Sequence, residues 1–511
     1  GGALGADPAA AVGWTPFHLA HQGENDRVLQ EALSELYSAA APALNYTSPY
    51  IITRKDPVKD NRAQEKNPVR IGFLSIYLRD HSIGRMLAHL IAALARRPTL
   101  EIHTFIPDFS GDHVYDYISS NANKHHVISA TELELTRNEV KEAHLDVLLL
   151  CDVGMEPLSY FLGFSRLALV QAAWWGHPAT TSAPEVDYFI SLDAEEDHAA
   201  FDYYSEQLVR MEIINVAPFT MVDTAEEEAA AEEGEEGAGG GEKEKKKGPP
   251  PPGAAPVLPP PDAELYLVLG RLFKLHPDFD LAIIEILKGH ANAHVVLIAE
   301  KHNNQITSLL WQRIKATVAE NDRHILSRLV FVHHWNYVAA LRRAAAVLDT
   351  YPYGGCLTSL EALSHLRPLV TLPSAHVKGR FTLAMYKQME DLGLVVPATE
   401  EAQSWPPQGY SSAPRVLGRE DDKGATTELA RASAALRAAK TYAAAVLAAG
   451  RAGRGKIGKR AGTGATGTGR GLETEEQRRP AADNYARLQE RGEDAALEWE
   501  EFFMRAVRVF R

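Results

Sequence analysis

The segment "YGGCLTSLE", residues 353–361, follows an apolar run and sets two glycines, Gly354 and Gly355, just ahead of Thr358 and Glu361. Adjacent glycines let a backbone turn sharply and let another group approach where a Cβ would clash. Thr358-x-x-Glu361 has the spacing of a capping box that opens a helix. Two readings fit: a capped turn between strand and helix, or a helix start whose open N–H groups and positive dipole end hold a phosphate. Upstream, "GRLFKLHPDFD" puts Lys274 between a strand and a helix, with His276-Pro277-Asp278 marking the helix start. Alone, such a lysine reads as a surface residue. Beside a glycine-rich helix start in the same unit, it supplies the counter-charge for a diphosphate. A Walker loop is absent, and no G-x-G-x-x-G dinucleotide fingerprint follows the first strand.

The first half of the chain offers three further groups. "LSIYLRDHSIGRML" places Arg79, Asp80 and His81 at the end of a strand and before a helix, where a histidine serves as base or hydrogen-bond donor. The alternative is a helix capped by Asp80 or Ser82 with an incidental histidine. "LLLCDVGMEP" ends a strand with Asp152, a carboxylate that either orients a hydroxyl acceptor or forms a turn. "WWGHPATTSAP" gathers Trp174, Trp175, His177, Thr180 and Thr181, a mixture suited to a sugar site and equally to a core.

These groups need strand ends to hold them. "VRIGFLS", "LEIHTFIP", "LDVLLLCDV", "ALVQAAWWG" and "VDYFISL" are nearly continuous apolar runs, the mark of strands buried on both faces. "IGRMLAHLIAALARR" and "TELELTRNEVKEAH" between them carry helical spacing. The same rhythm resumes with "ELYLVLGRLF", "FDLAIIEILKGH", "AHVVLIAE", "RLVFVHH", "AAVLDTYP", "PLVTLP" and "GLVVP". Alternating strands and helices predict parallel α/β sheets, so the expected fold class is α/β, with two Rossmann-like domains facing a cleft. In such sheets ligands sit at the carboxyl ends of strands.

The expected layout is a helical lead-in over 1–65, a first lobe over 66–224, a low-complexity insert over 225–262 and a second lobe over 263–400. C-terminal helices follow over 401–511, with a flexible insert over 450–480. The insert "AEEEAAAEEGEEGAGGGEKEKKKGPPPPGAAPVLPPPD" carries blocked charge and prolines and little that enters a core. The last segment predicts an amphipathic helix packing through Leu497, Trp499, Phe502, Phe503 and Val507. A length of 511 residues implies two or three domains, and the net charge of −14 argues against a nucleic-acid partner. Only two cysteines, Cys151 and Cys356, occur, which suits a reducing compartment, and no run is long enough for a membrane span. The start "GGALGADPAAAVGW" has no initiator Met and no signal pattern, as expected of a fragment.

Several segments together resemble one family. "LRDHSIGRML", "DVGMEPLSYFLGFSRLALVQAAWWGHPATT", "DYFISLD", "YYSEQLVRM", "LFKLHPDFD" and "YGGCLTSLEALSHLRPLVTLP" are similar, in order, to the catalytic region of the O-GlcNAc transferase and SPINDLY family. The resemblance spans roughly residues 13 to 440 and the terminal helix. It implies a GT-B glycosyltransferase that needs no metal or other cofactor and moves a sugar from a nucleotide-sugar to protein Ser or Thr hydroxyls. The implied donor is UDP-GlcNAc, with GDP-fucose as the alternative within the class and a non-catalytic binding or scaffold module as the alternative outside it. By position the resemblance makes His81 the active-site histidine and Lys274 the residue that neutralises the leaving diphosphate. Thr358 falls at the phosphate-binding helix start, Glu361 at the ribose, and His334 and Tyr337 near the base. The expected catalytic set is therefore His81, Lys274 and Asp152. The expected nucleotide contacts are Lys274, Gly354, Gly355, Thr358, Ser359 and Glu361, with His334 and Tyr337. The implied partners are protein acceptors, in cytoplasm or nucleus. Leu357 stands where relatives carry Asn or Thr, Gly270 or Arg271 where they carry Gln, and Arg367 where they carry Gly. No 34-residue repeat precedes Trp14.

Overall fold

The structure, a computed structural model, describes residues 8–54, 68–193, 200–213, 258–300, 304–389, 436–437, 439–450 and 491–510. Most of the 225–262 insert, the run "GLVVP" and the 450–480 insert beyond Gly450 lie outside the described residues. Residues 258–262, the end of that expected insert, are described. Arg343 donates to the carbonyls of Pro259 (2.9 Å) and Pro260 (2.8 Å), so this end of the proline run is held against the second lobe.

The first lobe is a seven-stranded parallel sheet. Its strands are β1 (Val69–Leu74), β2 (Leu100–Ile106), β3 (Lys124–Val127), β4 (Val147–Leu150), β5 (Val170–Trp174), β6 (Tyr188–Leu192) and β7 (Gln207–Met211), in the order β3-β2-β1-β4-β5-β6-β7. The second lobe is a five-stranded parallel sheet of β8 (Glu264–Val268), β9 (Ala293–Ile298), β10 (Leu329–Val332), β11 (Ala346–Leu348) and β12 (Leu369–Val370), ordered β10-β9-β8-β11-β12. The apolar runs became the central strands because burial on both faces is the only environment that satisfies them. The edge strands β3 ("KHHV") and β7 ("QLVRM") have no such run and were not foreseen; β3 is exposed or half-buried throughout.

In each sheet the strand order reverses beside the first strand, between β1 and β4 and between β8 and β11. At that point successive crossovers leave in opposite directions, and a crevice opens at the carboxyl ends. His81 follows β1, Asp152 follows β4, Lys274 follows β8 and Gly354 follows β11. The lobes touch through Trp175 and Phe381, whose ring centroids lie 5.0 Å apart.

The terminal helix, Gly492–Phe510, returns to the first lobe. Phe503 packs edge-on to Phe73 of β1 at 6.4 Å, and Arg96 pairs with Glu493 at 2.7 Å. Trp499, Phe503 and Val507 are buried as expected, but Leu497 is 48% exposed and Ala495, Ala496 and Ala506 complete the face. Small residues fill it because the helix lies close to Ser82–Ala95.

Candidate active site

Lys274 ends a 3-10 turn, Leu272–Lys274, just past β8. Glu300 fixes that turn by accepting from the Leu272 N–H (3.0 Å) and pairing with Arg271 (2.7 Å). The Lys274 ammonium sits 4.5 Å from the centroid of the Tyr353 ring. Among the described residues no carboxylate pairs with it; the side chains that act on its charge are Cys356 and Arg271. Burial lowers its pKa to about 8, with Cys356 opposing the shift and Arg271 adding to it. At neutral pH it is still a cation, half-buried and set over a π face.

Facing it is the glycine loop. The buried Asp349 carboxylate accepts from the Gly355 N–H and from the Thr371 hydroxyl, both at 2.7 Å, and the Gly354 N–H donates to the Lys378 carbonyl at 2.8 Å. Neither glycine is left-handed; what they provide is space. A Cβ on Gly355 would lie 2.6 Å from Thr358 Oγ1 and 2.8 Å from Ser359 Oγ. Because both glycine N–H groups are engaged inside the protein, the donors left at the front belong to Leu357 and Thr358. Among the described residues no hydrogen bond engages either of them.

The helix that follows, Leu357–Ser364, has Cys356 as its N-cap and no side-chain cap, so the expected capping box does not form. Glu361 instead accepts a hydrogen bond from the Tyr337 hydroxyl. The helix start and the segment that follows the His334–Asn336 turn beyond β10 are thereby tied together, and His334, Tyr337 and Glu361 are each half-buried. Ser359 is turned away from the crevice: it is buried, and its hydroxyl accepts from Thr382 at 2.9 Å. Leu357 is buried as well, so Thr358 alone presents a half-buried side chain from this turn besides Cys356.

His81 caps the helix Ser82–Ala95 with its own ring, a role expected of Asp80 or Ser82. Its Nδ1 accepts from the Ile83 N–H at 3.3 Å. That bond fixes the proton of the neutral ring on Nε2, which makes Nε2 a donor. Burial, then Arg79 and Lys274, lower its pKa to about 4. One turn along, Met86 Sδ meets Cys356 Sγ at 3.7 Å, so the His81 helix abuts the glycine loop. His81 and Lys274 thus lie within electrostatic reach of each other, and the helix that begins after His81 meets the glycine loop through Met86 and Cys356. Asp152 does not join them at the surface: it is fully buried and accepts from Ser75 at 2.8 Å. Burial, with Glu156 nearby, pushes its pKa well up. Its place is beneath the site, one layer behind Tyr77, whose ring lies 4.5 Å from that of His81.

In the loop after β5 the structure divides the residues between the two readings. Trp174 and Trp175 are buried core residues, and Thr180 and Thr181 donate to the buried Glu206. His177, however, reaches the crevice. It meets a group that sequence reasoning missed, carried by the N-terminal turn Phe17–Gln22. Thr15 anchors that segment by donating to the Gly154 carbonyl at 2.6 Å. Phe17 lies 5.4 Å from His177, and His21 lies 4.8 Å from Tyr353 and 5.3 Å from Phe273. His21 and His177 are almost fully buried, and all four of their ring nitrogens lack a hydrogen-bond partner among the described residues. Burial first, then Lys274 for His21 and Lys378 for His177, lowers each pKa to about 3. The only sequence signal was the i, i+3 spacing of His18 and His21 in "FHLAH".

No family model matches the chain, and no curated protein matches it. Among solved structures, a mutant of the Thermobaculum terrenum O-GlcNAc transferase is similar over 87% of this chain and 69% of its own, with a TM-score of 0.59 at 19% identity. The fold is GT-B. The N-terminal domain of Candida albicans trehalose-6-phosphate phosphatase (TM-score 0.43, 11% identity, 86% of this chain and 97% of its own) overlaps more loosely. So does sucrose-phosphate synthase of Thermosynechococcus elongatus (0.37, 13%, 76% and 98%). Within the GT-B frame, the crevice described above is the gap between the carboxyl edges of the two sheets.

Proposed function

We propose that this GT-B chain is an inverting, metal-independent glycosyltransferase that moves GlcNAc from UDP-GlcNAc to Ser or Thr hydroxyls of proteins. The observation that carries the reading is the half-buried Lys274 ammonium, paired with no carboxylate among the described residues and set against a glycine-fronted helix start. A cation held partly out of water with no counter-charge is accounted for where a ligand brings the anion. In the transfer step the acceptor oxygen forms a bond to the anomeric carbon as the carbon–oxygen bond to the diphosphate breaks. The acceptor's proton goes to the departing diphosphate, which also takes the electron pair of the broken bond. Lys274 and the N–H groups of Leu357 and Thr358 stabilise that developing charge. The His81 Nε2–H adds a neutral donor, and Glu361 with Tyr337 serves the ribose and base. His21 and His177, neutral at physiological pH, supply donors and acceptors for sugar hydroxyls.

Among the described residues no helix is long and apolar enough to cross a membrane. The free thiols of Cys151 and Cys356 suit a reducing compartment, the cytoplasm or nucleus. The deciding experiment is a thermal-shift titration with UDP, GDP, UDP-GlcNAc and GDP-fucose, because a ligand that binds the folded state raises the melting temperature by mass action. The expected response is to UDP and UDP-GlcNAc. A response to the guanine nucleotides alone reassigns the donor to GDP-fucose. No response to any of the four makes the chain a non-catalytic binding module.

A further inference from the structure

The loop from β1 to the helix Ser82–Ala95 carries more than His81. Tyr77 and Arg79 stand beside it: the rings of Tyr77 and His81 lie 4.5 Å apart, and Arg79 Cζ sits 6.0 Å from the Tyr77 centroid. Arg79 Cζ also lies 5.0 Å from the ring centroid of Phe109, in the loop beyond β2, so two aromatic rings hold its guanidinium. All four side chains are half-buried.

Their polar tips are unused. Among the described residues Arg79 makes no ion pair and no side-chain hydrogen bond, and neither the Tyr77 hydroxyl nor His81 Nε2 has a hydrogen-bond partner. Of these atoms only Arg79 Nε is buried. The two terminal nitrogens of Arg79, the phenol and His81 Nε2 reach the surface, so a ligand needs no enclosed cavity to meet them.

The carboxylates adjoining the loop have partners of their own. Asp80 pairs with Arg85 at 2.6 Å. Asp112 accepts from the N–H groups of Asp80, Val114 and Tyr115, and Asp108 accepts from the Ser110 N–H and hydroxyl. On the other side of Tyr77, Glu156 accepts from the N–H groups of Leu158 and Ser159, and Asp152 accepts from Ser75. The Arg79 charge is therefore left unmatched among the described residues.

All three tips donate. A guanidinium has only donors, and the Ile83 bond puts the His81 proton on Nε2. Burial, with Asp152 and Glu156 adding and Arg79 opposing, pushes the Tyr77 pKa up to about 12, so its hydroxyl keeps its proton. Arg79 repels a cation, and a neutral amide leaves its charge unanswered; a carboxylate or phosphate offers each tip an acceptor. We propose that Tyr77, Arg79 and His81 form an oxyanion-binding wall on the first lobe, separate from Lys274, with Arg79 as its charged member. Two sources can bring that oxyanion: the phosphates of the nucleotide-sugar or a carboxylate of a polypeptide acceptor. The wall stands on its own residues; only the naming of the two sources rests on the transferase reading.

Calorimetric titration of the full chain separates the sources. The probes are UDP, inorganic pyrophosphate and the peptides Ac-EESEE-NH2 and Ac-QQSQQ-NH2. Arg79→Gln is expected to weaken either UDP and pyrophosphate together or the acidic peptide by about tenfold or more, with the melting temperature unchanged. Arg79→Lys is expected to recover part of the loss, because the charge remains and the planar fork does not. Tyr77→Phe removes only the hydroxyl and is expected to weaken the same probe about threefold or more, which keeps the test open should Arg79→Gln disturb folding. Loss confined to UDP and pyrophosphate assigns the nucleotide phosphates. Loss confined to the acidic peptide, with its amide twin unaffected, assigns the carboxylate. Affinities that stay within about twofold in both Arg79→Gln and Tyr77→Phe overturn the wall, as does a wild type that binds none of the probes. If UDP fails to bind while the acidic peptide still depends on Arg79, the wall stands and the transferase reading falls.

Discussion

Lys274 is a half-buried lysine set over an aromatic ring, and its titration follows from that setting. Its pKa of about 8 reflects burial working against the charged form. Two predictions follow from that single value. Lys274→Met fills the same space over Tyr353 without the charge. It is expected to lower transfer by about a hundredfold or more, to remove the UDP-induced thermal shift, and to leave the melting temperature of the free chain unchanged or raised. A large drop in melting temperature would mean that the ammonium is structural. The second concerns pH. Because the folded pKa is depressed from 10.5 to about 8, the native state holds fewer protons than the unfolded chain between these values, so stability of the free protein rises with pH there. UDP affinity runs the other way and falls as pH climbs through about 8. His81, at about 4, stays neutral above pH 5 and adds no titration near neutrality. Calorimetric titration from pH 5.5 to 9.5 reads the affinity; a flat profile rules out the lysine as the phosphate's counter-charge.

At the scale of elements, the glycine loop and its helix act as one device. Asp349 pins the loop from below, and the Tyr442 hydroxyl donates to the Asp349 carbonyl (2.7 Å) from the helix over residues 439–450. Gly355→Ala drives a methyl group to within 2.6 Å of Thr358 Oγ1, and the helix start must shift. The expected cost is about 1–3 kcal/mol in unfolding free energy, with nucleotide binding lost. Chemical denaturation and the UDP titration measure the two parts separately. Unchanged binding would show that the close approach does not shape the site. The strap formed by residues 23–26 invites a similar test. Asp26→Ala strands the Lys378 ammonium, which is 3% exposed, and should cost about 3–5 kcal/mol. Asp26→Asn, which keeps an acceptor, should cost less.

For the whole molecule, the terminal helix is the tie that recrosses to the first lobe. Ending the chain before Gly492 uncovers the surface against which Trp499, Phe503 and Val507 are buried. At about 1.5–3 kcal/mol per large apolar side chain, the loss is of the order of 5 kcal/mol. The expected result is a chain whose first lobe becomes protease-sensitive while residues 258–389 resist longer, as limited proteolysis with mass spectrometry would show. Equal resistance of both lobes in the truncated chain would mean that the helix contributes little.

What could be read without coordinates was whatever depends on local pattern. Continuous apolar runs identified ten of the twelve described strands, because a strand covered on both faces must be apolar along its length; β3 and β7, at a sheet edge, need no such run. Strand-end positions likewise brought His81, Lys274 and Gly354 under suspicion, since parallel sheets put ligands there. Side-chain direction was not legible. Thr358 and Ser359 are neighbours in sequence, yet one faces the crevice and the other bonds Thr382; Asp152 lies at a strand end but points into the core. The partners of a polar group are chosen by contacts made across tens or hundreds of residues, as when Lys378 closes on Asp26 or His21 settles beside Tyr353. Such meetings leave no periodicity in the chain, so only the folded arrangement of the two lobes could decide them.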